Sequence, residues 1–269
     1  MRIVDCHVHT AGQVDPRELL AEMDRNGVQR VILFSEGERF TLEATREKLQ
    51  TAQPLTRAQP DRISVLAFVN PTIDGMADLT AEAVEEMGFI GVKIIPDHWF
   101  THEQRLEPFW ERMNELKASI LFHTGILHGH MDSSRFCRPV YLEKLLHYPD
   151  IRFAMAHISW PWCEECLAVM GRMRAAQRKG EVPAWQSWID LTPGTPPYIR
   201  RQAVANAVEH IGPERIMFGT DCGAPGKLGY QKALVEEYLG ILRDLGLDEA
   251  QVERIMSGSA DEVFPARGA

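Results

Sequence analysis

Short apolar runs alternate along this chain with longer stretches whose apolar positions recur at every third or fourth residue. The first run, Ile3 to His9, sets Asp5, His7 and His9 against Cys6 and Val8, so a strand here places the three polar side chains on one face. Pro16 to Asn26 then puts Leu19, Leu20 and Met23 at helical spacing, with Asp15 as N-cap, Pro16 at the first helical position and Gly27 as the stop. Val28 to Phe34, Ile63 to Val69 and Phe89 to Ile95 read as buried strands, the last with Lys93 inside it, and Leu42 to Ala58, Met76 to Met87 and Glu103 to Lys117 as helices. Four more strands come after these, at Ser119 to Phe122, Ile151 to Ala156, Trp188 to Leu191 and Arg215 to Gly219. The helical patterns around them are Pro139 to His147, Trp162 to Arg178, a helix capped by Thr195, Tyr230 to Leu245 and Glu249 to Met256.

Eight apolar runs with crossover-length connections predict an α/β fold with a parallel sheet, and eight units favour a single-domain (β/α)8 TIM barrel over residues 1–269. An open, doubly wound sheet is the alternative. It should carry a Gly-rich phosphate turn after an early strand, and this chain has none.

Composition narrows the partners. The net charge of −9, with no block of Lys or Arg, argues against nucleic acid and leaves a small-molecule substrate as the expected partner. No run reaches membrane-spanning length, and Met1-Arg2 leads straight into the first strand without room for a signal peptide. Five scattered cysteines do not form a disulfide framework, so a reducing cytoplasm is the expected location. A homo-oligomer is left open.

The candidate chemistry sits at the strand ends. Two imidazoles from one strand can converge on one point, and His123, His157 and Asp221 each end a further apolar run. Imidazoles with a carboxylate suit zinc, or else Mn, Fe, Co or Ni, and an open coordination position would hold water made acidic by the ion.

Asp5-Cys6-His7-Val8-His9, Gly91-Val92-Lys93, Phe122-His123-Thr124-Gly125, Ala156-His157 and Phe218-Gly219-Thr220-Asp221 resemble, in order and along the whole chain, the amidohydrolase superfamily. Within it they are most similar to amidohydrolase family 2, which includes the aminocarboxymuconate-semialdehyde decarboxylase-like enzymes. The resemblance implies one divalent metal per chain held by His7, His9, His123 and Asp221. It further implies Asp221 as general base and His157 as a group that polarises the substrate oxygen or transfers a proton. The implied reaction is hydrolysis of a small carbonyl substrate such as a lactone or amide. Non-oxidative decarboxylation is the alternative, and a barrel that binds without catalysis is the third reading. In binuclear members of the superfamily a lysine at the place of Lys93 is carboxylated and bridges two metals; here the expectation is a plain cation facing an anionic substrate.

Other residues carry weaker signals. Arg135 and Arg138, in the loop after strand five, could bind a substrate carboxylate through a bidentate fork, with Arg138 favoured because Pro139 restrains it; pairing with surface acids is the competing reading. Trp160 and Trp162 could wall a pocket or pack the helix layer, and Asp190 could orient a ligating histidine. His98, His102, His128 and His130 lie in loops at the same end as the site. Cys163 and Cys166 have redox-motif spacing in a chain with the wrong surroundings for that fold.

Overall fold

The computed structural model describes residues 1–10, 13–37, 41–129, 131–224 and 229–267. Among these residues nine strands, all parallel, are formed: β1 (Val4–Thr10), β2 (Arg30–Phe34), β3 (Ile63–Phe68), β4 (Gly91–Ile94), β5 (Ser119–Phe122), β6 (Arg152–Met155), β7 (Ser187–Asp190), β8 (Ile216–Met217) and β9 (Cys222–Ala224). They form one curled sheet in the order β8-β7-β6-β5-β4-β3-β2-β1-β9. The chain leaving β8 stays against β1, since Cys6 N donates to Phe218 O (3.1 Å) and Asp221 N to His7 O (2.9 Å). The last strand expected, Arg215 to Gly219, is thus shorter, and the unforeseen β9 carries the chain on along β1.

Helices α1 (Pro16–Asn26), α2 (Leu42–Ala52), α3 (Leu55–Ala58), α4 (Met76–Glu82), α5 (Glu107–Glu115), α6 (Cys163–Arg178), α7 (Pro197–Ile211), α8 (Gly229–Asp244), α9 (Glu249–Glu253) and α10 (Ser259–Val263) connect the strands or follow them. Asp15 caps α1 through Arg17 N, and Gly27 ends it at φ 69°, as the sequence suggests. The single helix expected from Leu42 to Ala58 is broken into α2 and α3 around Pro54, which has no amide hydrogen to continue the ladder. Pro139–His147 coils as a 3-10 helix, and the expected cap at Thr195 is absent because its hydroxyl donates to His157 O (2.8 Å) instead.

Strand alternation sorts the core into two layers. Val31, Leu33, Val65, Ile120 and Phe153 face the helices, whereas Val4, Cys6, Ile32, Phe34, Leu66, Leu121 and Trp188 face inward. Val263 and Phe264 close the inner layer from below, at the starts of the strands. There the fully buried Arg30 donates to Asp261 (2.9 Å) and Phe264 O (2.6 Å), fixing the C-terminal segment. With that end plugged, the inner face opens at the opposite end, where the strands finish.

Candidate active site

β1 keeps strict alternation only as far as Cys6. A β-bulge between Asp5 and Val8 then turns His7 inward directly after Cys6, and His9 follows two residues later. Both rings pack edge-on against Phe34, at centroid distances of 4.8 and 5.0 Å. The expectation of Asp5, His7 and His9 on one face is therefore corrected, because the bulge shifts the period by one. Asp5 turns to the other side, where it accepts from Thr220 N (3.0 Å), Thr220 Oγ1 (2.5 Å), Gln231 Nε2 (2.6 Å) and His7 N (3.2 Å). Burial pushes its pKa up to about 6 against these bonds. Its role is to clamp β1 to the segment that ends in Asp221.

Asp190 and Thr192 set the imidazole tautomers. Asp190 Oδ2 lies 2.8 Å from His7 Nδ1, so that nitrogen carries the proton and Nε2 turns a lone pair to the site. Thr192 Oγ1 donates to Asp190 Oδ1 (2.5 Å), which can only accept, and therefore itself accepts from His157 Nδ1 (2.5 Å). The Nε2 of His157 is thus bare. On the next strand end His123 Nε2 lies 3.2 Å from the carbonyl of Ile126, leaving Nδ1 as the acceptor. These two lone pairs, His157 Nε2 and His123 Nδ1, face each other at 3.2 Å. Burial lowers the pKa of both residues, that of His157 to about 4, so no proton separates them at neutral pH.

Asp221 completes the cluster. Its Oδ1 lies 3.2 Å from His7 Nε2 and 3.0 Å from His9 Nε2. Burial pushes its pKa up, but His7, His9 and His157 outweigh that and hold it well below the usual carboxylate range. His7 is pressed down by burial and by Lys93, yet Asp190 and Asp221 leave its pKa raised. Donor atoms of His7, His157 and Asp221 all lie within 4.8 Å of one another. Two nitrogens about 2.1 Å from one ion and about 100° apart stand about 3.2 Å from each other, so the His123–His157 spacing fits a divalent cation.

The backbone at two of these residues is strained. His157, Ile158 and Ser159 adopt φ of 62°, 46° and 54°, and Asp221 has φ 58°. His157 is pinned there by Asp190 Oδ1, which accepts from its N–H (2.8 Å), and by Thr195. Gly194 leaves room for the ring, since a Cβ at that position would stand 2.6 Å from His157 Cγ.

Above the cluster lies a cavity of about 230 Å³. Its floor is His9, His123, His157 and Asp221, and its walls are Ile95, Ile126, Leu127, His128, Trp160 and Gly194. Trp160 is thus a wall of the pocket. Lys93 is not, because it is fully buried beneath the histidines, with Nζ 3.4 Å from His7 Nε2 and 4.7 Å above the Phe34 ring; burial lowers its pKa to about 8. The expectation that it meets the substrate's charge is corrected by that depth.

The two arginines are also corrected. Arg138 forks onto Glu165, its Nε 3.2 Å from Oε2, and lies over the Trp162 ring; neither it nor Arg135 lines the cavity, and Arg135 is exposed beside Asp132. His98 pairs with Asp97 and His102 stacks on Phe100, while His130 lies outside the described residues. Cys163 and Cys166 are buried with thiols pushed up to about 11 and 12, which disfavours the reactive thiolate. Thr192, Gly194 and Gln231 were not foreseen. A Thr-Pro-Gly loop directly after a strand that carries Asp190 was the available signal for the first two.

A family model described as amidohydrolase matches residues 4–266. The chain belongs to the amidohydrolase family. No curated protein matches its sequence. Among solved structures, this amidohydrolase superposes on a TIM-barrel protein from Bordetella bronchiseptica with a TM-score of 0.70 at 14% identity, covering all of both chains. It is similar to 5-carboxyvanillate decarboxylase from Novosphingobium aromaticivorans, a manganese complex, with TM-score 0.68, 13% identity and 98% and 96% of the two chains covered. Dihydroorotase from Campylobacter jejuni superposes at 0.63 with 15% identity, over 98% of this chain and 83% of the other. At such identities these likenesses establish the fold. The family establishes an amidohydrolase-type enzyme, and among the described residues no helix is long and apolar enough to cross a membrane.

Proposed function

We propose that this amidohydrolase is a metal-dependent hydrolase of a small carbonyl compound, a lactone or amide, working at the mouth of a (β/α)8 barrel whose eighth strand is interrupted between β8 and β9. The observation that carries the reading is the pair of bare nitrogens, His123 Nδ1 and His157 Nε2, facing each other at 3.2 Å beside Asp221. Two buried lone pairs at that distance repel each other, and a cation between them and the carboxylate relieves the repulsion.

His7, His9, His123 and Asp221 would hold one divalent ion, zinc or manganese being suited to nitrogen and oxygen donors, and His157 stands close enough to join them. Such an ion supplies Lewis acidity, which lowers the pKa of water and polarises a carbonyl. The chain's own groups do the rest. Asp221, one-third exposed at the cavity floor, accepts the proton that water loses as it adds to the carbonyl, and passes it to the leaving group. His157 has no proton on Nε2, which supports a role as ligand or proton acceptor in place of the expected donor to the substrate oxygen. Ile95, Ile126, Leu127 and Trp160 seat the substrate's apolar body and exclude bulk water. Lys93, uncarboxylated, opposes a second proton on His7 through its positive charge, its Nζ lying 3.4 Å from Nε2.

A turnover screen of the metal-loaded enzyme on neutral lactones, amides and unsaturated carboxylic acids tests this. The proposal expects acid release from a lactone or amide. Release of CO2 without hydrolysis would make the chain a decarboxylase, and binding with no turnover would make it a catalytically silent barrel.

A further inference from the structure

The opposite end of the sheet, where the strands begin, carries a second cavity of about 520 Å³. Lys117 precedes β5, Arg152 opens β6 and Arg215 precedes β8, so three cations gather at the starts of neighbouring strands. Acids do not balance them. Of the two acidic residues in the lining, Glu262 is taken by Arg254, which leaves Asp150. Among the described residues Lys117, Arg152 and Arg215 form no ion pair; Arg152 donates to the backbone carbonyl of Glu262 (2.9 Å), and Glu214 acts on Arg215 only at longer range. This concentration of positive charge stands on a chain whose net charge is −9.

Arg215 is held rigidly. Its guanidinium lies 4.6 Å from the Trp185 ring centroid and 4.4 Å from that of Trp188, and Nη1 donates to Trp185 O (2.8 Å). Its Nε is buried with no partner. A half-buried guanidinium without a counter-charge carries a desolvation cost that an incoming oxyanion removes, and the planar fork matches carboxylate and phosphate geometry.

We propose that this cavity is a second ligand site, specific for a small oxyanion, a carboxylate or phosphate group, held by Arg215, Arg152 and Lys117. It lies at the other end of the strands from the catalytic mouth and is independent of the chemistry proposed there.

Succinate and inorganic phosphate are the probes, titrated calorimetrically and by tryptophan fluorescence into the full chain at constant ionic strength. The expected result is saturable one-site binding of at least one of them, retained in Asp221→Asn and weakened tenfold or more in Arg152→Gln and Lys117→Gln. Preference for succinate or for phosphate identifies the source of the oxyanion, and either supports the site. Arg152→Gln and Lys117→Gln lie at the rim and decide the matter even where Arg215→Gln does not fold. Absence of saturation with both anions overturns the proposal, as does binding that survives Arg152→Gln unchanged or disappears in Asp221→Asn.

Discussion

Replacing Asp190 by Asn removes one charge and no volume, and its effect can be worked out bond by bond. The carboxylate accepts from His7 Nδ1 (2.8 Å) through one oxygen, and from His157 N (2.8 Å), Thr192 N (3.1 Å) and Thr192 Oγ1 (2.5 Å) through the other. Asparagine can keep its oxygen toward the last three donors, which places its NH2 group against His7 Nδ1. Two donors then meet unless His7 gives up the Nδ1 proton and takes one on Nε2, the nitrogen that faces Asp221. The lone pair assigned to the metal is lost in that tautomer. Partners that orient metal-binding histidines typically govern 10- to 100-fold in affinity, about 1.4 to 2.8 kcal/mol. Competitive zinc titration of chelator-stripped Asp190→Asn should show a loss of that size while circular dichroism keeps the wild-type fold. Wild-type zinc affinity in the variant would refute the reasoning, because Asp190 would then not set the His7 tautomer.

Three further outcomes are expected. Asp221→Asn should retain part of the metal and lose roughly 10²- to 10⁴-fold in kcat, since the amide oxygen still ligates but takes no proton; a kcat within a few-fold of wild type would remove Asp221 as the base. Gly194→Ala places a methyl group 2.6 Å from His157 Cγ, so kcat/KM should fall by at least about tenfold as the ring is displaced; unchanged kinetics would show that the ring's position is unimportant. In metal-free protein His157 titrates at about 4, against 6.5 in the unfolded chain. The unfolded chain takes up the proton first, so stability falls as pH drops from about 6.5 to about 4, by about 3 kcal/mol. Thermal melts across that range should be less pH-dependent in His157→Gln, and equal pH dependence in the two proteins would contradict the assignment.

Strand positions were legible because each is a run of apolar residues buried on both sides, and a crossover helix separates it from the next. The inward position of His7 and His9 was foreseen for a reason that holds only in part. Strict alternation places Asp5 with them, and the bulge after Asp5, where the backbone of β1 bonds to both Phe218 and Asp221, leaves no mark in local sequence. The pairing of Arg138 is hidden for a similar reason: its partner Glu165 comes from the start of α6, and only the packing of α6 beside the loop after β5 brings the two together. Thr192 acts by touching Asp190 and His157 at once, which depends on β6 and β7 being neighbours. Asp190 itself could be suspected, because a carboxylate late in a buried strand needs a partner.

Everything proposed for the catalytic mouth rests on the four histidines and Asp221 forming one cation site that the reaction requires. Zinc titration into chelator-stripped protein, monitored by calorimetry with wild type and His123→Ala side by side, addresses this most directly. One ion should bind per wild-type chain, with affinity reduced at least tenfold in a folded His123→Ala. Equal zinc affinity in the two proteins, or no zinc binding by the wild type, would contradict it.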